Sequence, residues 1–310
     1  MKKKLVVGTR TSALALWQAE HIADCLRKQY PQTEVVLEHI VTTGDKILDV
    51  PLAKIGGKGL FTKELETAML AGKIDIAVHS LKDMPTELPA GLVLAATTKR
   101  ATPWDALVSP KHRTLENLPE GASVGTSSLR RKAQLLNRRP DLKICDLRGN
   151  LNTRMNKLET QNLDAIVLAE AGLLRMGWAD KITQVLPPDI SLPAVGQGSL
   201  AIEACADNSE LLAMLEFLND EDTRAAVTAE RAFLRELEGG CQVPMGVYGR
   251  IKEGQVYVQA IILSLDGKRV IRDSVTCAPS EAEASGTALA GRMYANGGKE
   301  ILEELVTINN

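Results

Sequence analysis

Short apolar runs alternate with stretches of helical period through roughly the first 200 residues, the pattern of a parallel α/β sheet. Lys4–Gly8 (KLVVG) predicts a strand. Thr11–Lys28 predicts a helix, with Ala15, Ala19, Ile22 and Leu26 on one face and Thr11 or Ser12 as its cap. Glu34–Val41 returns as strand, Phe61–Gly72 as a helix closed by Gly72, and Ile74–Ser80 as strand. A second set begins near Ala122: strand Ser123–Ser127, helix Ser128–Arg139, strand Leu142–Arg148, helix Asn150–Gln161 and strand Asp164–Leu173. The two sets open alike, with Val7-Gly8-Thr9 leading to Ser12 in one and Val124-Gly125-Thr126-Ser127-Ser128 in the other.

The last third changes character. A helix over Thr223–Leu237 leads into Leu237–Gly246 (LEGGCQVPMG). Three antiparallel strands follow, Val247–Ile251, Gln255–Ser264 and Arg269–Thr276, joined at Glu253-Gly254 and Asp266-Gly267, the latter a hairpin signal. A helical tail starts near Ser280. The expected fold is therefore α/β: two doubly wound α/β domains and a small C-terminal α+β domain.

Bulk composition narrows the function classes. A chain of 310 residues is long for one core and fits two or three domains. Aromatics make up only 3%, too few for a stacking platform for single-stranded nucleic acid, and a net charge of −2 gives no global pull toward nucleic acid or anionic membrane. The basic start MKKKLVVGTR carries too short an apolar run for a signal peptide, and no segment approaches a membrane span, so the expectation is a cytoplasmic protein. Cys25, Cys145, Cys205, Cys241 and Cys277 are odd in number and scattered, which argues against a disulfide framework or a zinc site; no metal is expected.

Three features carry candidate chemistry. Each Gly-Thr/Ser turn stands before a helix, where free backbone N–H groups bind anions, although plain N-capping needs the same residues. In AVHSLKDMPTELP, Lys82 and Asp83 follow a strand end, where open α/β sheets place ligands, with a solvated Lys-Asp turn as the alternative. Arg10, Arg130, Arg131, Lys132, Arg148, Arg154 and Arg175, with Lys54 and Lys58 around Gly56-Gly57, crowd strand ends and first helical turns of a nearly neutral chain. Arginine grips carboxylates bidentately, so a polyanionic ligand is one reading and scattered solvated cations the other. Cys241, set between two glycines and Pro244, has no histidine nearby in sequence; a lowered thiol pKa and a covalent attachment both stay open, while Cys25, Cys145 and Cys277 suit burial as small hydrophobes.

VGTRTSALA, TTGDK, GGKGLFTKELE, AVHSLKDMP, VGTSSLRR, LRGNLNTR, LAEAGLLRMG, LPAVGQGSLAIE and ERAFLRELEGGCQVPMG occur in order from Val7 to Gly246. Together they resemble the porphobilinogen deaminase, or hydroxymethylbilane synthase, family. The resemblance implies a transferase of tetrapyrrole (heme, porphyrin) biosynthesis. Four porphobilinogen molecules are condensed head to tail with loss of ammonia, and hydroxymethylbilane is released by water. It also implies a dipyrromethane cofactor held by a thioether to Cys241 and two domains like those of type II periplasmic binding proteins, hinged around a cleft. The domains would span 1–99 with 200–217, 100–199, and 218–310.

Carried over residue by residue, the family's catalytic aspartate falls on Asp83. Cofactor contacts fall on Lys82, Arg130, Arg131, Thr126, Ser127, Ser128, Asp45, Ser80 and Arg148, and substrate contacts on Arg10, Ser12, Arg148, Arg154, Arg175 and Gln197. Lys54, Lys58 and Phe61 belong to a loop over the cleft, Phe61 as a candidate stacking face. Ala204 and Cys205 stand where the family often has a cysteine and a basic residue, which touches local contacts only. The expected partner is porphobilinogen alone, with no nucleic acid and no membrane, and the expected state a monomer. Two rivals compete. A non-catalytic two-domain anion-binding protein would leave Asp83, Cys241 and the third domain idle, and a cysteine-nucleophile hydrolase lacks the histidine.

Overall fold

The computed structural model describes residues 2–46, 59–237 and 243–309. The first sheet has the order β2-β1-β3-β10-β4, from β1 (Lys4–Thr9), β2 (Glu34–His39), β3 (Ile76–Ser80), β4 (Leu92–Thr97) and β10 (Leu200–Cys205). The second repeats that pattern as β7-β6-β8-β5-β9, from β5 (Asp105–Val108), β6 (Ser123–Gly125), β7 (Lys143–Cys145), β8 (Ala165–Ala169) and β9 (Gln184–Leu186). In each sheet the first three strands are parallel, and the fourth runs antiparallel between its neighbours.

Both sheets are covered on two faces, which explains their near-continuous apolar runs. Helix Ala13–Gln29 lays Ala19, Ile22, Ala23 and Leu26 against Leu5, Val7 and Ile76, while helix Lys63–Leu70 covers the opposite face with Leu65 and Met69. In β8 the alternation is explicit: Ala165 and Val167 enter one core, Ile166 and Leu168 the other.

The helix and turn readings hold with small shifts at the ends: Ser12 caps the first helix and Ser128 caps Leu129–Arg138. Three expectations need correction. The apolar run Asp164–Leu173 is not one strand, because the chain turns at Ala169 into helix Glu170–Arg175. The strand expected over Leu142–Arg148 ends at Cys145, so Arg148 sits in the loop before helix Leu151–Thr160. Cys277 is buried as expected, but Cys25 and Cys145 remain partly exposed.

The second sheet is inserted between β4 and β10 of the first, so the chain crosses between them twice, at residues 98–104 and 187–199. The crossings lie against each other: Ala101 N–H donates to Gly198 O at 3.2 Å, and Thr98 N–H to Leu200 O at 3.1 Å. Gly198 has φ +96°, and a Cβ there would stand 2.6 Å from the carbonyl oxygen of Thr102. That close approach gives a physical reason for glycine in VGQGSL.

The third unit is an antiparallel sheet of β11 (Met245–Lys252), β12 (Gln255–Leu263) and β13 (Val270–Cys277), backed by helices Glu221–Glu236 and Ala282–Met293 around the fully buried Phe233. The β11–β12 turn puts Glu253 and Gly254 both at positive φ, the primed geometry of a two-residue hairpin. Helix Glu221–Glu236 ties this unit to both crossings. Buried Glu230 accepts from Arg100 Nη2 (2.6 Å), Gly196 N–H (2.7 Å) and Gly249 N–H (2.7 Å).

These contacts separate two glycines that share a positive φ. Gly254→Ala has open space for its Cβ and should cost about 1 kcal/mol of backbone strain, whereas Gly198→Ala must also displace Thr102 and should cost on the order of 2–3 kcal/mol. Thermal unfolding of the two variants side by side measures the difference; equal losses would mean that the crossings yield freely.

Candidate active site

Parallel strands put their carboxyl ends on one side of a sheet, and the chemistry-bearing residues gather there. Arg10 and Ser12 follow β1, Ser80 ends β3, and Lys82 and Asp83 follow it. In the second sheet Thr126–Ser128 follow β6, Arg148 and Arg154 follow β7, and Arg175 ends the helix after β8.

Asp83 lies in a single 3-10 turn, Leu81–Asp83, and reaches solvent while Leu81 and Met84 on either side are buried. The turn is thus anchored by its flanks and offers its carboxylate outward. It lines a cleft with Arg10, Ser12, Gln18, Phe61 and Ser80. Positive charge surrounds it. Lys82 and Arg154 both feel Asp83 as a neighbouring opposite charge, and Arg131 and Arg148 as like charges acting on one or both of them. Burial, reinforced by Arg131, pushes the Lys82 amine down to about 8, against the pull of Asp83 and Asp105. Arg154 is pushed down to about 10 by burial and by Arg131, and Arg175 to about 10 by burial.

Beneath this group lies a carboxylate that no motif pointed to. Asp105, fully buried at the start of β5, accepts from Arg130 Nη1 at 2.7 Å, Arg131 Nε at 3.0 Å and Nη2 at 2.7 Å, Ser191 Oγ at 2.7 Å and Gln197 Nε2 at 3.0 Å. Burial alone would raise its carboxyl; the two guanidiniums instead hold it well below the usual carboxylate range. Gln197 passes the arrangement on, since its Oε1 accepts from Lys82 Nζ at 3.3 Å. The grip expected of Arg130 and Arg131 on a ligand is, in this structure, made on a carboxylate of the protein. Both arginines are only 5% exposed and also donate to the Leu192 and Val167 carbonyls. The sequence signal for Asp105 was slight: one acid directly before the apolar run of PWDALV.

The other expected residues divide clearly. Arg10 is paired with Asp45 and lies over the Phe61 ring, 4.2 Å from its centroid. Burial would raise Asp45, but Arg10 and Thr42 outweigh it and hold the carboxyl below its ordinary value. Ser12, Ser127 and Ser128 accept backbone N–H bonds from Ala15, Leu147 and Arg131, and Thr126 accepts from Ser128 N–H, so their hydroxyls already shape the turns. Ser80 Oγ accepts from Gln18 Nε2 at 2.8 Å, a partner the sequence reading missed. Arg154 and Arg175 donate to the carbonyls of Gly149 and Gly198, and neither has a carboxylate in ion-pair range among the described residues. Arg175 also lies 5.8 Å from the centroid of the Trp17 ring across the cleft mouth. Lys54, Lys58 and Cys241 lie outside the described residues.

Two family profiles account for most of the chain. "Porphobilinogen deaminase, dipyromethane cofactor binding domain" matches residues 5–213, and "Porphobilinogen deaminase, C-terminal domain" matches residues 224–295. The chain belongs to the porphobilinogen deaminase family. Porphobilinogen deaminase of Desulforamulus reducens is 52% identical over 305 residues, covering 98% of this chain and 99% of that protein. That of Pelotomaculum thermopropionicum is 53% identical over 303 residues, covering 98% and 97%. Among solved structures, the periplasmic aliphatic sulphonate binding protein SsuA of Escherichia coli superposes with a TM-score of 0.41 at 16% identity, covering 77% of this chain and 71% of that one. That likeness is too distant to bear on the site. For the cofactor that the family implies, the donor set is chemically suitable: Lys82, Arg154 and Arg175 are cations with lowered pKa and no carboxylate bonded to them among the described residues, beside capped helix N-termini.

Asp105→Asn would leave two buried guanidiniums sharing a neutral amide and should cost about 3–5 kcal/mol. Because the folded pKa is depressed, the wild-type contribution is full above the unfolded carboxylate value of ~3.9 and is lost progressively as pH falls below it. Denaturant titrations of both proteins between neutral and acid pH should therefore converge on acidification. A constant gap would assign the loss to packing.

Proposed function

We propose that this chain is a hydroxymethylbilane synthase that joins four porphobilinogen units head to tail, releasing ammonia at each joining, and frees the product with water. One observation carries the assignment of roles. A solvent-reaching carboxylate, Asp83, stands amid Lys82, Arg131, Arg148 and Arg154, at the end of a strand and on an anchored turn.

When bound through a thioether to Cys241, the dipyrromethane supplies a tethered primer with a free α-carbon as the point of extension. Lys82, Arg131, Arg148 and the turn Thr126–Ser128 would hold it, with Arg130 one layer behind through Asp105. Arg10, Ser12, Arg154, Arg175 and Gln197 receive substrate. Each porphobilinogen brings an acetate and a propionate, so the demand for cations grows with chain length, and a set of lysine and arginine heads around one cleft meets it. For Arg10 this requires exchange of Asp45 for a ligand carboxylate, an ion-pair swap of nearly equal charge.

Asp83 does the repeated work. Its carboxylate accepts a hydrogen bond from a pyrrole N–H and stabilises the positive charge that develops on that nitrogen as the aminomethyl C–N bond breaks. Such a preorganised carboxylate acts most strongly where water is excluded, which Phe61 and the two facing sheets favour. The α-proton displaced when the new carbon–carbon bond forms has Asp83 as its nearest carboxylate acceptor in this reading. The same reading divides the chain at 1–99 with 200–217, 100–199 and 218–310. It also has the chain working as a cytoplasmic monomer, in keeping with a net charge of −2 and with no described helix long and apolar enough to cross a membrane.

Intact-mass spectrometry under denaturing conditions should show a mass above that of the sequence by two condensed pyrrole units, located on the Cys241 peptide; active protein of unmodified mass would sink the reading. Asp83→Ala should keep that increment and lose nearly all turnover, and wild-type turnover would remove Asp83 from the mechanism. Since burial pushes the Lys82 amine down to about 8, its hold on the tethered primer should weaken as pH passes about 8, so kcat should fall there, and Lys82→Arg should abolish that fall. An unchanged profile in Lys82→Arg would show that another group titrates.

A further inference from the structure

The loop that carries Asp83 continues as Met84-Pro85-Thr86-Glu87-Leu88-Pro89. Pro85 and Pro89 have no N–H, so along this stretch the backbone offers a neighbour mainly its carbonyls. A single side chain takes two of them. Arg231 Nη2 donates to Pro85 O at 2.6 Å and to Thr86 O at 3.0 Å. Arg231 is partly buried, and burial lowers its pKa, with the charge of Arg235 adding to the effect. Among the described residues no carboxylate lies in ion-pair range of it. A guanidinium held partly away from water without a counter-ion is costly to keep, and its two hydrogen bonds to the loop carbonyls offset part of that cost.

Arg231 projects from helix Glu221–Glu236, and one turn earlier on that helix Val227 packs with Leu81 and Met84, the two buried residues that flank Lys82 and Asp83. Positions four apart share a helix face. One face of one helix therefore grips the Asp83 turn from two sides, by apolar contact beneath it and by charge-assisted hydrogen bonds just beyond it. The residue just before Arg231, Glu230, fixes the same helix to both chain crossings and to β11. The helix ends at Glu236, with Leu237 as its C-cap, and Cys241 follows shortly after in the sequence.

We infer that Arg231 is a positioning residue: it sets the Asp83 turn in register with the helix that leads to the cofactor cysteine. The inference rests on Asp83 acting as proposed above. A guanidinium spanning two consecutive carbonyls fixes both the height and the direction of the chain there. Displacing a catalytic group by about 1 Å is enough to cost on the order of 100-fold in rate.

The test uses the cofactor-loaded enzyme in four forms, wild type, Arg231→Ala, Arg231→Lys and Asp83→Asn, with the double variant Arg231→Ala/Asp83→Asn. Each is first checked by intact mass for full loading of Cys241 and by thermal unfolding. Arg231→Ala should lose on the order of 10- to 100-fold in kcat with KM within about twofold. Arg231→Lys should recover part of that loss, because an ammonium still reaches one carbonyl. In the Asp83→Asn background, removing Arg231 should cost less than about twofold, since the group it positions is gone. Wild-type kcat in Arg231→Ala overturns the inference. So does a loss that comes only with reduced loading or lowered melting temperature in both Arg231 variants, or a loss of equal size in the Asp83→Asn background. A wild-type kcat in Asp83→Asn sinks the Asp83 assignment instead, and the two failures are told apart by which single variant stays active.

Discussion

Asp105 carries a single negative charge, is fully buried and answers two guanidiniums. Its oxygens are taken by Arg130, Arg131, Ser191 and Gln197, which come from the helix after β6 and from the second chain crossing. The cluster keeps a net positive charge inside the protein, and its arginines reach the cleft: burial is the main cause that lowers Lys82 and Arg154, and Arg131 adds to it in both. An isolated buried ion pair is weak evidence for stability. Here its effect is on the field in which the exposed Asp83 sits. Lys82 and Arg154 both have Asp83 as a neighbouring opposite charge, so the turn and the cations form one electrostatic group.

The positive surplus has a second consequence. Cations that lack carboxylate partners repel one another, so an anionic ligand with several carboxylates gains both by direct hydrogen bonding and by relieving that repulsion. Residues already paired within the protein, such as Arg10 with Asp45, contribute by exchange instead. The cleft thus combines arginines paired with carboxylates of the protein and cations, Lys82, Arg154 and Arg175, that donate to an amide or backbone carbonyl oxygen.

Mechanical order comes from the helix Glu221–Glu236. Through Glu230 it joins the two crossings and the third sheet at a point where Gly198 lets the crossings touch. Any opening of one α/β unit against the other must turn about those crossings. The Asp83 turn packs on this helix, whereas Arg148 and Arg154 belong to the unit of the second sheet. A cleft that must accept successive units without losing its anchor calls for that division.

The periodicity of the chain determined the parallel strands, the first helices and the hairpin at Glu253-Gly254, because each rests on neighbours within a few residues, while the structure chose Ser12 over Thr11 as the first cap and made Ser128 a cap. Ordered motifs determined the family and named Asp83. The strands Leu92–Thr97 and Leu200–Cys205 escaped the reading, since short unbroken apolar runs look alike whether they end in a buried strand or a buried helix. The change from strand to helix at Ala169 escaped for the same reason. Asp105 and Arg231 could not be read at all: their partners lie 25 to 92 and 145 to 146 residues away. The same basic residues could have been a solvated face or a site; sequence supplied the charges, and only the folded chain decided that Arg130 and Arg131 turn inward on Asp105 while Arg154 donates to the Gly149 carbonyl within the field of Asp83. Local conformational preference is written in adjacent residues, whereas burial and charge pairing exist only once distant segments have been brought together.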